Sequence, residues 1–296
     1  MEKGTSTERE AAIQAYPQRI VCLTEETTET LYLLGEDWRI VGISGYTVRP
    51  PQARREKPKV SAFTSAKFDR IMELKPDLVF AFSDLQAEIA RELIQRGLNV
   101  FTFNQRSVAE ILQMILTVGR ICGCMDKAAQ LIARLEAELR QIEVSASRFK
   151  TRPRVFFEEW HEPLISGIRW VEELIEIAGG QPLYPELRES KAAKDRVLNP
   201  LDVAARDPQV IIASWCGRAV KKSVIRQRQG WSTVSAVRDR HVYEVKSTYI
   251  LQPGPASLTE GVRQLHALIA RAAGYEVDPS LAPLEALDAD ASASLT

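Results

Sequence analysis

Cysteine is scarce in this sequence, and its spacing excludes several kinds of site. The 296 residues include four cysteines, and these are Cys22, Cys122, Cys124 and Cys216. No two of them have the C-x-x-C spacing of zinc and redox motifs. We therefore expect free buried thiols in a reducing compartment.

The sequence also lacks the long apolar runs of secreted and membrane proteins. The N-terminal stretch MEKGTSTEREAAIQAYPQR is charged and polar where a signal peptide has an apolar core. No uninterrupted apolar run reaches about 18 residues, so no helix is expected to span a membrane. From the sequence as written we expect a cytoplasmic protein, or a periplasmic or other extracytoplasmic one if the true start lies upstream.

Neither sign of charge is in excess. Lys plus Arg and Asp plus Glu both number 39, which gives a formal net charge of zero. Nucleic acids and anionic membranes are therefore not expected as partners. The chain also lacks a glycine-rich phosphate loop, a G-x-S-x-G elbow and an H-E-x-x-H motif. The 45% of hydrophobic residues are enough for the cores of a folded globular protein.

Short apolar runs alternate with helical patterns along the whole chain. In the first half, the strand patterns RIVCL and RIVGIS and the helix-strand pattern FDRIMELKPDLVFAF are separated by short polar connections. In the second half, PRVFFEEW, DPQVIIASW and HVYEVK are strand patterns, and WVEELIEIAGG is a helix that two glycines end. This alternation predicts a mostly parallel sheet, covered on both faces, in each half.

A long helical pattern lies between the two halves. From about Asp126 to Val144 the apolar residues fall on one face, which predicts a helix of roughly 30 Å. We therefore predict an α/β fold with two Rossmann-like lobes that this helix braces along one side, with a cleft on the other. The predicted segments are a flexible N-terminus (1–16), a first lobe (17–106), a bridging segment (107–150), a second lobe (151–276) and a disordered tail (277–296).

Aromatic side chains follow the predicted strands in both halves. Ligands of open parallel sheets bind beyond the carboxyl ends of the strands. The rings near those ends belong to Tyr46, Phe63, Phe82, Trp160, Trp215 and Tyr249. Any one of them could equally pack in a core, but their shared position favours a cleft for a bulky flat or cyclic ligand.

The stretch RVFFEEWHEPL (154–164) carries most of the remaining candidates. Glu158 and Glu159 are adjacent in a strand and should point to opposite faces, so they do not suit a paired acid and base. We expect them to be solvated or hydrogen-bonded, and Glu159 could accept a bond from a ligand amide. His161 is either a surface turn residue or a metal ligand, alone on cobalt or iron or together with Glu158, Glu159 or Cys216.

Cys216, in SWCGR (214–218), is a candidate nucleophile because it follows a strand and precedes a glycine. It has no basic partner nearby in the sequence. A small residue in the cleft is the other interpretation.

This arrangement resembles the substrate-binding proteins of cobalamin and iron-siderophore ABC importers, which have two Rossmann-like lobes and a helical backbone. The resemblance covers about residues 17–274. Residues 17–53, 68–82 and 154–217 carry it, together with the bridging helix. It is closest to the cobalamin-binding branch through G-Y-x-x-x-P-P after the second strand and x-P-x-x-S-G after His161.

The resemblance implies a set of contact residues in each lobe. The implied ligand contacts are Tyr46, Phe63 and Phe82 in the first lobe and Trp160, Leu164, Trp215 and Tyr249 in the second. Glu159 is added to these as the polar contact expected from its place in the strand. The family also engages its permease through an acidic residue on top of each lobe, and the matching regions here offer Asp69 and Asp202. From the sequence as written no leader is expected, which would be a departure from the family, and Trp215 and Cys216 stand where relatives often have glycine.

Three hypotheses follow. The first is non-catalytic binding of a corrinoid, with a ferric siderophore or haem-like chelate as the nearest substitute. The chelate would then be a ligand rather than a cofactor, and the protein a monomer serving an ABC permease or a cytosolic relative of such proteins. The second is a cytosolic enzyme on the same scaffold that uses Glu159, His161 and Cys216 on a metal or corrinoid substrate. The third is an interaction protein that has lost its ligand.

Overall fold

A computed structural model of the protein describes residues 16–285 and 287. The predicted flexible N-terminus lies outside these residues except for Tyr16. The described chain divides into two compact units. The first unit contains the residues up to Gln105 together with Ala109–Arg134, and the second contains Arg106–Val108 together with the residues from Leu135.

The first unit is built on a parallel sheet in which the strand order is β3-β2-β1-β4-β5. Its strands are β1 Ile20–Cys22, β2 Ile40–Ser44, β3 Lys59–Ser61, β4 Leu78–Phe82 and β5 Val100–Phe103. The α-helices of this part of the chain are Glu25–Leu33, Pro51–Glu56, Phe68–Glu73, Ala87–Gln95 and Val108–Cys122. Every residue of β1 and β4 is buried, as expected for central strands that read as continuous apolar runs.

The second unit is built on a mixed sheet in which the order is β10-β9-β6-β7 and β8 also pairs with β6. Its strands are β6 Arg154–His161, β7 Leu164–Ser166, β8 Gln181–Pro182, β9 Val210–Ala213 and β10 Val242–Glu244. Its α-helices are Arg169–Ile177, Pro200–Ala205, Lys222–Arg226, Ser235–Arg238, Ser247–Ile250 and Val262–Ala272. Among the strands of the described residues, β6 and β7 form the one antiparallel pair, so the predicted α/β class with mostly parallel sheets is confirmed.

The long helix predicted from about Asp126 to Val144 runs over Met125–Ala146. At 1.5 Å per residue its 22 residues span about 33 Å. Residues up to Arg134 belong to the first unit and those from Leu135 to the second. The segment 107–150 is therefore divided between the two units instead of standing apart from both, because its apolar face supplies core residues such as Ala128 and Ile142.

The tail prediction is wrong for residues 277–285. Arg263 donates from Nη1 to the carbonyl oxygens of Ser280 and Ala282, over 2.9 and 3.0 Å. The backbone N–H of Leu284 donates to the carboxylate of Glu260 over 2.8 Å. These two charged side chains belong to the preceding helical segment. They hold the backbone of residues whose amino-acid composition suggests disorder. The rest of the predicted tail lies outside the described residues, apart from Leu287.

One buried carboxyl in the second unit should make stability depend on pH. Glu172 is buried in the helix Arg169–Ile177, and burial raises its pKa to about 8, against the opposing pull of Arg188. The folded protein thus keeps a proton that the unfolded chain releases near its ordinary pKa of 4.5. Stability is lost as pH rises from the unfolded to the folded pKa.

We predict that Glu172→Gln removes this loss. Relative to the variant, the wild-type protein should lose stability of the order of a few kcal/mol between mildly acidic and mildly alkaline pH. The measurement is urea unfolding of both proteins across that range. Glu88→Gln, at an exposed position, is the control and should leave the pH profile unchanged. Wild-type and Glu172→Gln profiles that run parallel would show that Glu172 binds no extra proton in the fold.

Candidate functional site

The central strand β6 of the second unit carries a fully buried carboxylate in its second half. Glu158 is 0% exposed, and Arg228 donates to both of its oxygens over 2.9 and 3.2 Å. The indole Nε1 of Trp215 donates to the same carboxylate over 3.2 Å. Glu158 was expected to be either solvated or hydrogen-bonded. It is hydrogen-bonded, and solvent does not reach it. A buried charge requires such partners, and the carboxylate in turn fixes the position of Trp215.

Glu159 points to the other face, as strand alternation predicts. Arg196 donates to its two oxygens over 2.6 and 3.3 Å and also donates to the carbonyl of Ser166. Each glutamate thus has its own arginine. A shared acid-base role for the pair is inconsistent with this arrangement.

Three rings lie in succession where β6 ends, and we call Trp160, His161 and Trp215 the ring stack. The rings of His161 and Trp215 are stacked at 4.2 Å between centroids, and Trp160 lies 5.2 Å from His161 at an angle of 50°. The guanidinium of Arg218 lies 5.8 Å from the Trp160 ring. Trp215 is buried, whereas Trp160 and His161 are partly exposed. The stack is an aromatic surface whose buried end is held by Glu158.

The hairpin β6–β7 changes the expected setting of Trp160 and Leu164. Both were expected in a loop, but Trp160 lies in β6 opposite Ile165, and Leu164 lies in β7 opposite His161. Leu164 packs in the hydrophobic core with Trp215 and Ile211. Leu164 is buried because the returning strand turns its side chain inward, and its role as a ligand contact stays a prediction. Trp215 also belongs to this core, so it contributes the buried ring of the stack.

The remaining predicted contacts have unequal exposure. Tyr46 is exposed just after β2, and Phe63 and Tyr249 are half-buried, the latter in the helix Ser247–Ile250 instead of a loop. Phe82 is buried at the end of β4. The buried side chain of Gln86 joins the end of β4 to the segment that follows β3. It accepts a hydrogen bond from the N–H of Phe82 and donates one to the carbonyl oxygen of Phe63, both over 2.9 Å. Ligand contact by these residues stays a prediction, as does the cleft between the lobes.

Sequence reasoning assigned no role to the glutamates that follow β1. Glu25 and Glu26 lie in the first turn of the helix Glu25–Leu33 and are buried. The N–H of Val48 donates to Glu25 over 2.8 Å, and burial raises the pKa of Glu25 to about 8. The run TEETTET directly after a buried strand was the available signal.

The two candidate docking carboxylates are not at equivalent places. The helices Phe68–Glu73 and Pro200–Ala205 each have six residues, and each is followed after one residue by a left-handed residue, Lys75 (φ 47°) and Asp207 (φ 48°) respectively. Asp69 is the second residue of its helix, but Asp202 is the third. The position equivalent to Asp69 is Leu201, which is exposed. Permease docking by Asp69 and Asp202 stays a prediction.

The metal candidates find little support. Within residues 16–285 and 287, no three His, Cys, Asp or Glu side chains are grouped so that they could hold a metal ion. Cys216 is exposed and is not in a disulfide, and the carboxylate of Glu159 is held by Arg196. A single bond from His161 to the metal of a bound chelate would not need such a group and stays a prediction.

Comparison with known proteins identifies the family. A family model described as periplasmic binding protein matches residues 20–249. The chain belongs to this family.

Two curated relatives are similar to this chain over most of its length. An uncharacterized ABC transporter substrate-binding lipoprotein, YvrC, of Bacillus subtilis is 26% identical over 88% of this chain and 82% of its own length. A vitamin B12-binding protein of Vibrio parahaemolyticus is 24% identical over 81% of this chain and 86% of its own length.

Solved structures share the fold. The vitamin B12 binding protein of Vibrio cholerae superposes with a TM-score of 0.69 at 20% identity, over 86% of this chain and 98% of its own. IsdE of S. aureus, in complex with heme, superposes with a TM-score of 0.73 at 22% identity, over 85% of this chain and 98% of its own. Over the part of the chain that the structure describes, no helix combines the length and the hydropathy needed to cross a membrane.

Removing the partner of Glu158 should be costly. We predict that Arg228→Met lowers the free energy of unfolding by about 3–5 kcal/mol, because it leaves a buried charge unpaired. The measurement is urea unfolding. The matched control is Arg91→Met in the exposed pair Arg91–Glu88, where the loss should stay below about 1 kcal/mol. Equal, small losses in both variants would contradict the assigned role of Arg228.

Proposed function

We propose that the protein binds a corrinoid or a closely related flat metal chelate, without transforming it, as the substrate-binding component of an ABC importer. The ring stack at the end of β6 is the observation that carries this proposal. Family membership supports the general role, and the names of relatives that bind vitamin B12 support the class of ligand.

The ring stack suits a large flat ligand for physical reasons. His161 is stacked on buried Trp215 and Trp160 lies beside His161, so the orientation of these two partly exposed rings is set before a ligand arrives. Trp160 is further held by the bond from its Nε1 to the carbonyl of Glu162, over 2.9 Å. Rings that are fixed in advance lose little conformational entropy on binding and offer a broad apolar surface. A macrocyclic chelate presents a matching face.

The importer role requires a permease, and the exposed carboxylate of Asp69 supports one contact. It lies in the first turn of a short helix and pairs only with Arg96, over 2.9 Å, among the contacts described. In the second unit we propose a contact that includes Leu201 together with Asp202. An importer component meets its ligand outside the cytoplasmic membrane, which is the second of the two locations left open by the sequence.

Truncating the exposed ring of the stack should weaken binding. We predict that Trp160→Ala lowers the affinity for hydroxocobalamin, dicyanocobinamide or haemin, whichever binds the wild-type protein best, by about tenfold, or roughly 1.4 kcal/mol. The measurement is isothermal titration calorimetry with each ligand. Trp38→Ala, at an exposed tryptophan of the first unit, is the control and should bind like the wild type. Absence of binding to all three ligands, or equal binding by Trp160→Ala, would overturn the proposal.

A further inference from the structure

The last strand of the first sheet has an outer edge that no other segment of the described chain binds. β5 pairs on its inner side with β4, in a continuous parallel register without a bulge. The carbonyl oxygens of Asn99 and Phe103 accept from backbone N–H groups in and just after β4, over 2.9 and 2.7 Å. Alternate residues of a strand direct their backbone groups to opposite sides, so those of Val100 and Thr102 point outward.

We call the outward backbone groups of Val100 and Thr102 the open edge. Over residues 16–285 and 287, no hydrogen bond reaches these groups. Both residues are accessible, since Thr102 is exposed and Val100 is partly exposed. Water is therefore the present partner of the open edge, and another strand is the protein group that fits it.

The chain covers the outer sides of other strands but leaves this one open. A bridge between Ser61 and Ala66 covers part of the outer side of β3, and one between Ile165 and Val197 covers part of that of β7. β5 also lacks the features that usually keep strand edges apart, because its sequence VFTF has no charge and no proline. An edge of this kind is a template for pairing with another chain.

Apolar side chains flank the open edge on both faces of the sheet. On one face, Phe101 is 39% exposed beside the ring of Phe103, at 4.8 Å between centroids. On the other face, a groove of about 630 Å³ lies between Thr102 and the helix Ala87–Gln95. Ile94 lines this groove and is 57% exposed. A strand added to the edge would cover Phe101 on one face and Ile94 on the other.

A second copy of β5 matches this edge. Antiparallel pairing about a twofold axis at Phe101 sets Val100 of each copy opposite Thr102 of the other. Every outward N–H and C=O group of the open edge then gains a partner. Phe101 takes the closer type of site, in which opposite Cα atoms are about 4.5 Å apart, so the two exposed rings meet.

The charges beside the open edge are also self-complementary. The same axis sets the helices Ala87–Gln95 of the two copies antiparallel on one face of the joined sheet. Each helix exposes Glu88 and Arg91, which pair over 2.9 Å within the helix. These charges sum to zero, and the axis brings each Arg91 within about one helical turn, roughly 5.4 Å, of Glu88 of the other copy.

We infer that two copies of this chain associate through the open edge of β5, which joins their five-stranded sheets into one. The inference concerns residues of the first unit and does not rest on the proposed function. An interface of two short strands and two short helices is small. We therefore expect a dissociation constant of the order of 10–100 µM, with monomers at about 1 µM.

The test is sedimentation velocity of the full chain without ligand, from about 1 µM to about 300 µM. The apparent mass of the wild-type protein should rise from the 33.2 kDa of one chain toward twice that value. Thr102→Pro removes an outward N–H that the fold does not use, so it should leave the melting temperature nearly unchanged and weaken association at least about tenfold.

Ile94→Lys tests the same contact without a change in the backbone. A lysine at this exposed position should leave the fold intact and weaken association about tenfold, because its charge would be buried against the other copy. Val144→Lys, at an exposed aliphatic position of the second unit, is the matched control and should associate like the wild type. If Thr102→Pro does not fold, Ile94→Lys decides.

Charge reversal tests the twofold arrangement of the helices. Glu88→Arg and Arg91→Glu each give a helix with two like charges, so each variant alone should associate about tenfold more weakly than the wild type. An equal mixture of the two variants restores opposite charges across the axis and should associate at least as strongly as the wild type.

Two results would overturn the inference. One is a wild-type mass that stays at 33.2 kDa over the whole concentration series, as for the monomer expected from the sequence. The other is association that Thr102→Pro and Ile94→Lys leave unchanged, which would place the contact elsewhere on the chain. A mixture of the charge variants that associates no better than either alone would overturn the twofold arrangement.

Discussion

The buried charge of Glu158 is the constraint on which the candidate site of the second unit depends. A carboxylate at the end of a central strand, with no access to solvent, is stable only when donors surround it. Arg228 and Trp215 supply those donors, and Arg228 also lies 4.3 Å from the ring of Trp231. The ion pair therefore joins the strand, the segment after Lys222–Arg226 and the aromatic core. Trp215 is positioned by that pair, and the exposed rings of the stack are positioned by Trp215.

The first unit places a different chemistry at the corresponding end of its sheet. There the residues after β1 are carboxyls and hydroxyls, and Gln86 organises the backbone after β4 through two hydrogen bonds. The residues at this end of the first sheet are thus mostly polar, whereas those at the end of β6 include the three rings of the stack.

Much of the fold could be predicted from the sequence because its signals are local. The apolar runs of β4 and β9 and the one-sided pattern of Met125–Ala146 are each sufficient to define an element. The hairpin β6–β7 was not predicted, because polar residues at the end of β6 suggest that the strand has ended. In fact Glu158 and Glu159 are paired with arginines, and the strand continues to His161. Residues 277–285 were misjudged for a similar reason, since Arg263 and Glu260 hold their backbone.

The candidate site was only partly predictable. Its aromatic members could be found from their position after strands, but Leu164 could not be recognised as a core residue without the returning strand. The partners of Glu158 and Glu159 are 70 and 37 residues away in the sequence, at Arg228 and Arg196, so no spacing reveals them. Asp69 and Asp202 occupy positions one residue apart in their helices. The sequence does not show this, because the two helices can be aligned only through the left-handed residues Lys75 and Asp207 that follow them.

The central claim is that the ring stack at the end of β6 is where the ligand binds. The indole N–H signals of a nitrogen-15-labelled sample test it directly, because tryptophans lie both inside and outside the stack. On addition of dicyanocobinamide, the account predicts that the signals of Trp160 and Trp215 shift while that of Trp38 stays in place. A ligand that binds and moves only Trp38, or that leaves Trp160 and Trp215 unchanged, would contradict it.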